Sequence, residues 1–437
     1  MIYYMAIHVI LPHQLFDVKI LSKHIDKTTS IVLWEHPHYF TSYNYNKKKL
    51  ILHRASMKYY KDYLTSQGYK VQYKNFNSKF TTKSYTIYDP IDKIDLPFNH
   101  KMIESPNFLL TKEDYGVYRK KTEKYLFNAF YMWGKKIVDI IPNVKSQDKD
   151  NRKKMPKDLV IPELPSNDDD KKYIKSAITY VTKHFSNNYG NVDNFIFPIT
   201  HKTAHKWHMD FLKSKFEKFG DYQDFIRDDN EYLFHSVLSS SINIGLINPL
   251  DIIEKLRDYE SKTPMNCYEG YIRQLFWREY QRYCYIYYDF KGKKYFNNNK
   301  KLNNKWYTGE LGIPPVDRAI QQGFDTGYLH HISRLMVMGN FMNISGILPE
   351  EGFKWFMEFS CDSYEWVMCQ NVYDMVFFVS GGATMRRPYI SSSNYILKMS
   401  DYKRGDWCDK WDELYHSFIH NNKKELYKFR YFIRYKK

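Results

Sequence analysis

Residues 30–73 read SIVLWEHPHYFTSYNYNKKKLILHRASMKYYKDYLTSQGYKVQY. Short apolar runs at 30–34 and 70–73 flank residues 47–67, where Leu50, Leu52, Ala55, Met57, Tyr60 and Leu64 suggest a helix. Strand, helix and strand in alternation predict a parallel sheet with covering helices. Outward from this unit, residues 6–11 and 84–88 are two more short runs rich in β-branched or aromatic side chains. Residues 1–130 are therefore expected to form an α/β, Rossmann-like domain. Such sheets bind ligands beyond the carboxyl ends of their strands. No GxGxxG follows the first run, so the dinucleotide fingerprint is absent.

The character changes at 131–195. Residues 143–157 and 162–172 are rich in Lys, Asp, Asn and Pro, which predicts a polar interdomain connection over the surface. From 196 to 437 helical periodicity takes over, at 204–219, 232–245, 249–259, 267–285, 315–323, 328–346, 352–359 and 411–420. The larger second domain is expected to be all-α. Residues 297–305 read as a polar loop and 423–437 as a basic, aromatic tail.

Lys and Arg number 66 against 49 Asp and Glu, a net charge of +17 that favours polyanions and makes nucleic acid the leading partner. Lysine-rich, AT-biased coding accounts for the same excess equally well. Aromatic residues reach 18%; coding bias and a site that stacks planar rings both fit. The five cysteines, at 267, 284, 361, 369 and 408, form no CxxC pair. They suit a reducing compartment, cytoplasmic or nuclear. No apolar stretch is long enough to span a membrane. The opening MIYYMAIHVILPHQLF lacks a basic n-region and reads as a first strand rather than a signal peptide.

Four stretches carry chemistry. In 235–245, HSVLSSSINIG, small hydroxyls cluster near a helix start, where hydroxyls and free amides hold a phosphate or simply cap the helix. In 268–280, Glu269, Arg273 and Trp277 share one helix face: an acid, a base and an indole suited to a flat ring, or an ion pair beside a core tryptophan. In 328–341, His330 and His331 point about 100° apart on a helix, with Arg334 one turn on; such a histidine serves as a general acid or as a structural residue. In 355–395, Gly381 and Gly382 permit close backbone approach. Arg386 and Arg387 beside Tyr389 and Tyr395 combine phosphate contacts with aromatic surface, or form a packing turn.

Taken in order, FHSVLSSSINIGLINP, YEGYIRQLFWREY, YLHHISRLMVMGNF, DSYEWV and RRPYISSSNYILKMSDY resemble the prokaryotic photolyases, related to (6-4) photolyases, that carry an iron–sulfur cluster. LPHQL, NKKKLILHRASMKYYKDYLTSQGYKVQY and DKDNRKKMP are similar to that family too, so the resemblance spans nearly the whole chain. It implies an FAD in the helical domain behind an α/β antenna domain. Ser236 and Ser239 match its flavin-phosphate hydroxyls, Arg278 and Arg334 its flavin-pocket arginines, and Asp362 its flavin-side aspartate. Leu238, His330, Met368 and Asn371 complete the implied cofactor contacts. His331 matches the proton donor to a (6-4) lesion, Leu335 the leucine one turn on, and Tyr389 and Tyr395 the lesion-side tyrosines. Trp355 matches the tryptophan nearest the flavin in the photoreduction route. Tyr307, beside Trp306, falls where the route has another tryptophan, and Tyr364 joins it. Glu269, Arg273, Trp277, Arg386 and Arg387 are expected to meet DNA.

The resemblance also implies an antenna pigment, of ribolumazine type, with no contacts assigned. It implies light-driven repair of (6-4) photoproducts in ultraviolet-damaged DNA by electron transfer from reduced flavin to a flipped lesion, carried out by a monomer. A cryptochrome-like photoreceptor and a repair-inactive DNA-binding homologue are the alternatives. The family's four cluster cysteines are not matched: WYTGELGIPPVDRA lacks one, Lys403-Arg404-Gly405-Asp406 follows MSDY in place of CxxC, and only Cys408 remains. One thiolate cannot hold a cluster, so no metal is expected. Met368 replaces a glutamate facing the flavin N5, and Phe356 replaces a tyrosine beside Trp355.

Overall fold

The computed structural model describes residues 6–167 and 170–431. The first five residues of the amino-terminal run and residues 432–437 of the basic tail lie outside the described residues, as do 168 and 169.

The first domain is built on five parallel strands: β1 (Ile7–Ile10), β2 (Ser30–Trp34), β3 (Lys70–Lys74), β4 (Ser84–Tyr88) and β5 (Asn99–Ile103). Their order is β3-β2-β1-β4-β5. In register, Ile7 lies opposite Ser30 and Ser30 opposite Lys70. The apolar run of β2 is buried on both faces, as an inner parallel strand requires. β5 reads NHKMI and is largely exposed. It is an edge strand whose polarity hides it from a hydrophobic-pattern reading. The helix Lys47–Ser66 starts where expected. The Asn46 side chain caps it by accepting from the Lys48 backbone N–H at 2.8 Å.

Residue 130, expected to end the first domain, lies inside the helix Phe127–Val138. That helix packs on the long helix Met265–Tyr287 through Phe127 and Tyr131. Within the expected polar connection, the amphipathic helix Lys171–His184 packs against Lys47–Ser66. Apolar residues spaced among its lysines, notably Ala177 and Val181, give that segment a buried stripe.

The two halves share one continuous core. The Leu15 N–H donates to the Ile244 carbonyl at 2.9 Å, the Asn46 N–H to the Glu358 carbonyl at 2.7 Å, and the Trp366 N–H to Asp92 Oδ1 at 2.9 Å. Gly245 makes the first contact possible. Its φ is +89°, and a Cβ there would stand 2.6 Å from the Phe16 ring.

The second domain is helical. The expected helix 204–219 breaks at Lys215 into His201–Ser214 and Phe216–Tyr222, and two further segments differ from expectation. Residues 232–238 are a turn, and the helix Ser239–Ile244 is short. The 328–346 segment is not one α-helix: Ser333–Gly339 is a π-helix followed by Asn340–Ile344. A second π-helix, Cys369–Val376, packs against the first. Gly339 permits that approach, since a Cβ there would lie 2.5 Å from Val376 Cγ2. π-helical turns widen the helix and re-aim side chains, and they recur at functional sites.

Candidate active site

The π-helices, the long helix Met265–Tyr287, the 235–238 turn and the start of the helix Ser239–Ile244 line a cavity of about 930 Å³. Its polar groups come in three sets.

The first is the turn. Ser236, Leu238 and Ser239 line the cavity. Val237 between them has φ +53°, an uncommon conformation for a β-branched residue, which the surrounding packing must hold in place.

The second set is a charge network at the inner wall. Arg334 grips Asp362 with two bonds, Nη1 to Oδ1 at 2.9 Å and Nη2 to Oδ2 at 3.1 Å. Burial pushes the Asp362 carboxyl up. Arg334, with Ser239 and Ser360, outweighs it and holds the carboxyl below its ordinary value. Arg278 donates from Nε to Asn243 Oδ1 at 2.9 Å, and the Asn243 amide donates to the Asp362 carbonyl at 2.9 Å. Burial lowers the Arg278 guanidinium to about 10, so it stays charged, and it lies over the Phe108 and Trp366 rings. Its Nη2 is buried without a protein partner. A buried charged donor left over at a cavity wall fits an anionic or carbonyl-bearing ligand. Met368 and Asn371 complete this wall.

The third set is the mouth. His331 Nε2 lies 3.0 Å from Asp224 Oδ1. Asp224 also faces Arg152 at 3.5 Å, and Asp148 pairs with both Arg152 at 2.8 Å and Arg273 at 2.9 Å. Burial raises the Asp224 carboxyl. The bond to His331 and the flanking arginines bring it net below the usual carboxylate range. Tyr389, Tyr395, Arg387 and Trp277 face the same mouth. Trp277 stacks on Phe127 with ring centres 3.6 Å apart and planes at 7°.

The expected flavin-side residues Ser236, Leu238, Ser239, Arg278, His330, Arg334, Asp362, Met368 and Asn371 all line one cavity. The expected lesion-side residues His331, Tyr389 and Tyr395, and Arg273, Trp277 and Arg387, line it too. Several others do not. Glu269 is fully buried and accepts from the Tyr131 hydroxyl at 2.8 Å and the Gln147 N–H at 3.1 Å, so the expectation that it meets DNA is corrected: the carboxylate pins two segments together. Tyr364 sits at the domain seam, its hydroxyl 2.8 Å from His53 Nε2, rather than at the cavity. Arg386 is exposed and outside the cavity.

Trp355 is fully buried one ring away, 5.2 Å from the cavity-lining Phe356. It reaches Tyr307 through Phe324, at ring-centre distances of 5.6 and 5.8 Å. Tyr307 stacks on Tyr189 at 4.6 Å. Trp306 joins by its backbone, its carbonyl accepting from Trp355 Nε1 at 2.7 Å, while its ring packs on Phe341.

Asp224, Arg152, Asn243, Phe127 and Tyr189 were not singled out from sequence. Two had a signal: Arg152 falls in DKDNRKKMP and Asn243 in HSVLSSSINIG.

The chain matches the family described as Deoxyribodipyrimidine photo-lyase-related protein over residues 8–94 and 87–197. It matches the FAD binding domain of DNA photolyase over residues 271–428. It is 28% identical over 450 residues to a (6-4) photolyase of Agrobacterium fabrum, covering 92% of this chain and 88% of that protein. Its fold is similar to a bacterial class III photolyase from Agrobacterium tumefaciens, with a TM-score of 0.59 at 14% identity, over 98% of this chain and 90% of that one. A Synechocystis cryptochrome is similar to the same degree, with a TM-score of 0.58 at 14% identity, over 96% and 89% of the two chains. Parallel sheet, helical cavity domain and these matches lead to one assignment: the chain belongs to the photolyase/cryptochrome superfamily, on the branch of the Agrobacterium protein.

Proposed function

We propose that this chain is an FAD-dependent, light-driven DNA photolyase acting on (6-4) pyrimidine photoproducts. The observation that carries the reading is the pairing of His331 with Asp224 at 3.0 Å on the wall of the cavity that Arg334 and Asp362 also line.

Ser236 and Ser239 would hold the FAD phosphates, Arg278 its anionic or carbonyl oxygens, and the Arg334–Asp362 pair its ring edge. When bound, FAD supplies a light-driven electron to the lesion. The protein's own groups handle the lesion and the proton. Trp277, Tyr389 and Tyr395 offer stacking surface to bases lifted from the duplex, where extrusion is easier because a lesion is already poorly stacked. His331 is the proton donor; Asp224 orients its ring and balances its charge when protonated. Arg273 and Arg387 meet phosphates around the mouth. The electron lent to the lesion comes back from the split product, so repair has no net redox change; Trp355 and Tyr307 would serve only to pass electrons inward from an external thiol-type reductant when the flavin is oxidised.

The reading includes a reducing compartment, cytoplasmic or nuclear, a monomer, a ribolumazine-type antenna pigment, and no iron–sulfur cluster, since Cys408 alone cannot hold one. Among the described residues no helix is long and apolar enough to cross a membrane.

A second reading, a cryptochrome-like photoreceptor, is favoured by Met368 on the cavity wall, because a thioether neither donates nor accepts the proton a carboxyl would. The test is illumination of purified protein with an oligonucleotide carrying a (6-4) lesion. Lesion loss in light, none in darkness and none with His331→Ala support repair. Flavin photoreduction without lesion turnover overturns it in favour of the photoreceptor.

A further inference from the structure

His235, His330 and His331 each offer one ring nitrogen to a cluster whose three atoms lie within 4.8 Å of one another. Their ring centres stand 5.0, 5.7 and 6.2 Å apart. Three imidazoles on one tetrahedral zinc ion, each nitrogen about 2.0–2.1 Å from the metal, hold their ring centres on the order of 5 Å apart. The His235–His330 spacing already matches that, and His331 need close only by about 1 Å to complete the set.

The remaining nitrogens are already engaged in two of the rings. His330 Nε2 meets the Ser333 hydroxyl at 2.9 Å, and His331 Nε2 meets Asp224 Oδ1 at 3.0 Å. Those partners leave Nδ1 of both rings for another purpose. His330 Nδ1 and His235 Nε2 are buried with no hydrogen-bond partner, in residues only 3% and 7% exposed. Buried polar atoms without partners are uncommon, and two on facing rings point to a shared ligand. A carboxylate behind a histidine and a hydroxyl behind another are the outer contacts that orient metal-binding imidazoles.

We propose that His235, His330 and His331 form a site for a divalent transition-metal cation of the zinc type, with His235 Nε2, His330 Nδ1 and His331 Nδ1 as ligands. Three imidazole donors suit zinc, cobalt or nickel and disfavour magnesium and calcium, which take oxygen. His331 lines the cavity and is half-exposed, so the fourth coordination position opens toward the cavity. Lys215 and Arg334 oppose an added positive charge, and Asp224 offsets part of that. The binding does not depend on the repair reading. One consequence does: a cation on His331 occupies the lone pair and blocks its proton transfer, so zinc inhibits photorepair and a chelator restores it.

The test uses tag-free, full-length protein stripped with a chelator, then titrated calorimetrically with zinc chloride and, separately, with cobalt(II) followed by visible absorption. One equivalent bound is expected, with tetrahedral cobalt bands at longer wavelength than the flavin. His331→Ala, chosen because that side chain is half-exposed and its loss spares the fold, lowers affinity at least about tenfold and removes the bands. His235→Gln does the same where circular dichroism shows a native fold. His205→Ala, on an exposed helix face, changes neither. Absence of zinc binding, or equal affinity in wild-type and His331→Ala proteins, overturns the proposal. Zinc binding that depends on His331 without any photorepair overturns the function instead and leaves the site standing.

Discussion

His331 and Asp224 stand 107 positions apart in the chain and meet at 3.0 Å at the mouth of the cavity. Neither position suggests the other in the sequence. The pair joins the π-helical wall to the turn after the helix Phe216–Tyr222, where Arg152 and Arg273 converge on the same acidic cluster.

Asp224→Asn keeps the shape of that side chain and removes its charge. Light-dependent loss of (6-4) lesions is expected to fall by about 10²–10⁴-fold, the usual contribution of a positioned acid and its orienting partner. Flavin content should be unchanged. Repair assays beside flavin absorbance check both; wild-type turnover in this variant would remove Asp224 from the mechanism.

The Arg334–Asp362 pair is buried and bidentate, so breaking one side leaves an uncompensated charge. Asp362→Asn is expected to destabilise the fold by about 3–5 kcal/mol at neutral pH and to weaken flavin retention. The folded-state Asp362 carboxyl is depressed, so its contribution is present above the unfolded value, about 3.9, and is lost as pH falls through the folded one. Urea unfolding of wild-type and variant protein should show a gap that is wide at pH 7 and narrows under acid.

Gly245→Ala strains a left-handed residue, which costs about 1–2 kcal/mol, and adds a clash with Phe16. The seam between the sheet domain and the helix Ser239–Ile244 should loosen. Lower unfolding midpoints together with faster amide exchange at Leu15 are the expected signs.

Arg387 lines the cavity mouth, whereas Glu269 is sealed inside the protein. Arg387→Gln should weaken DNA binding and reduce the slope of log affinity against log salt by about 0.9 if it contacts one phosphate of the duplex. Glu269→Gln should leave that slope alone and lower stability, because its carboxylate holds Tyr131 and Gln147. Fluorescence anisotropy across a salt series separates the two.

Trp355, Phe324, Tyr307 and Tyr189 form a run of ring contacts leading away from the cavity. Trp355→Phe should abolish photoreduction of oxidised flavin and Tyr307→Phe should slow it. Bleaching of flavin absorbance under blue light reports both rates.

Much of the architecture was local enough to read along the chain. The burial of β2 on both faces is written in its unbroken apolar run, and Asn46 sits where a helix cap belongs. The residues expected on the flavin side, from Ser236 to Asn371, line one cavity. The edge strand β5 escaped notice because solvent, not a core, covers its polar side chains.

Side-chain direction and partners across long stretches of chain were another matter. Glu269, Arg273 and Trp277 share a helix face by spacing alone, yet packing buries Glu269 beneath Tyr131 and turns Arg273 and Trp277 to the cavity. Spacing defines a stripe on a helix, while the neighbouring elements decide which part of that stripe meets solvent. The same holds for Tyr364 against His53, for Trp277 against Phe127 and for the three imidazoles at the cavity wall. Each depends on the meeting of segments far apart in the chain, a free-energy balance of the whole core that no single stretch of residues contains.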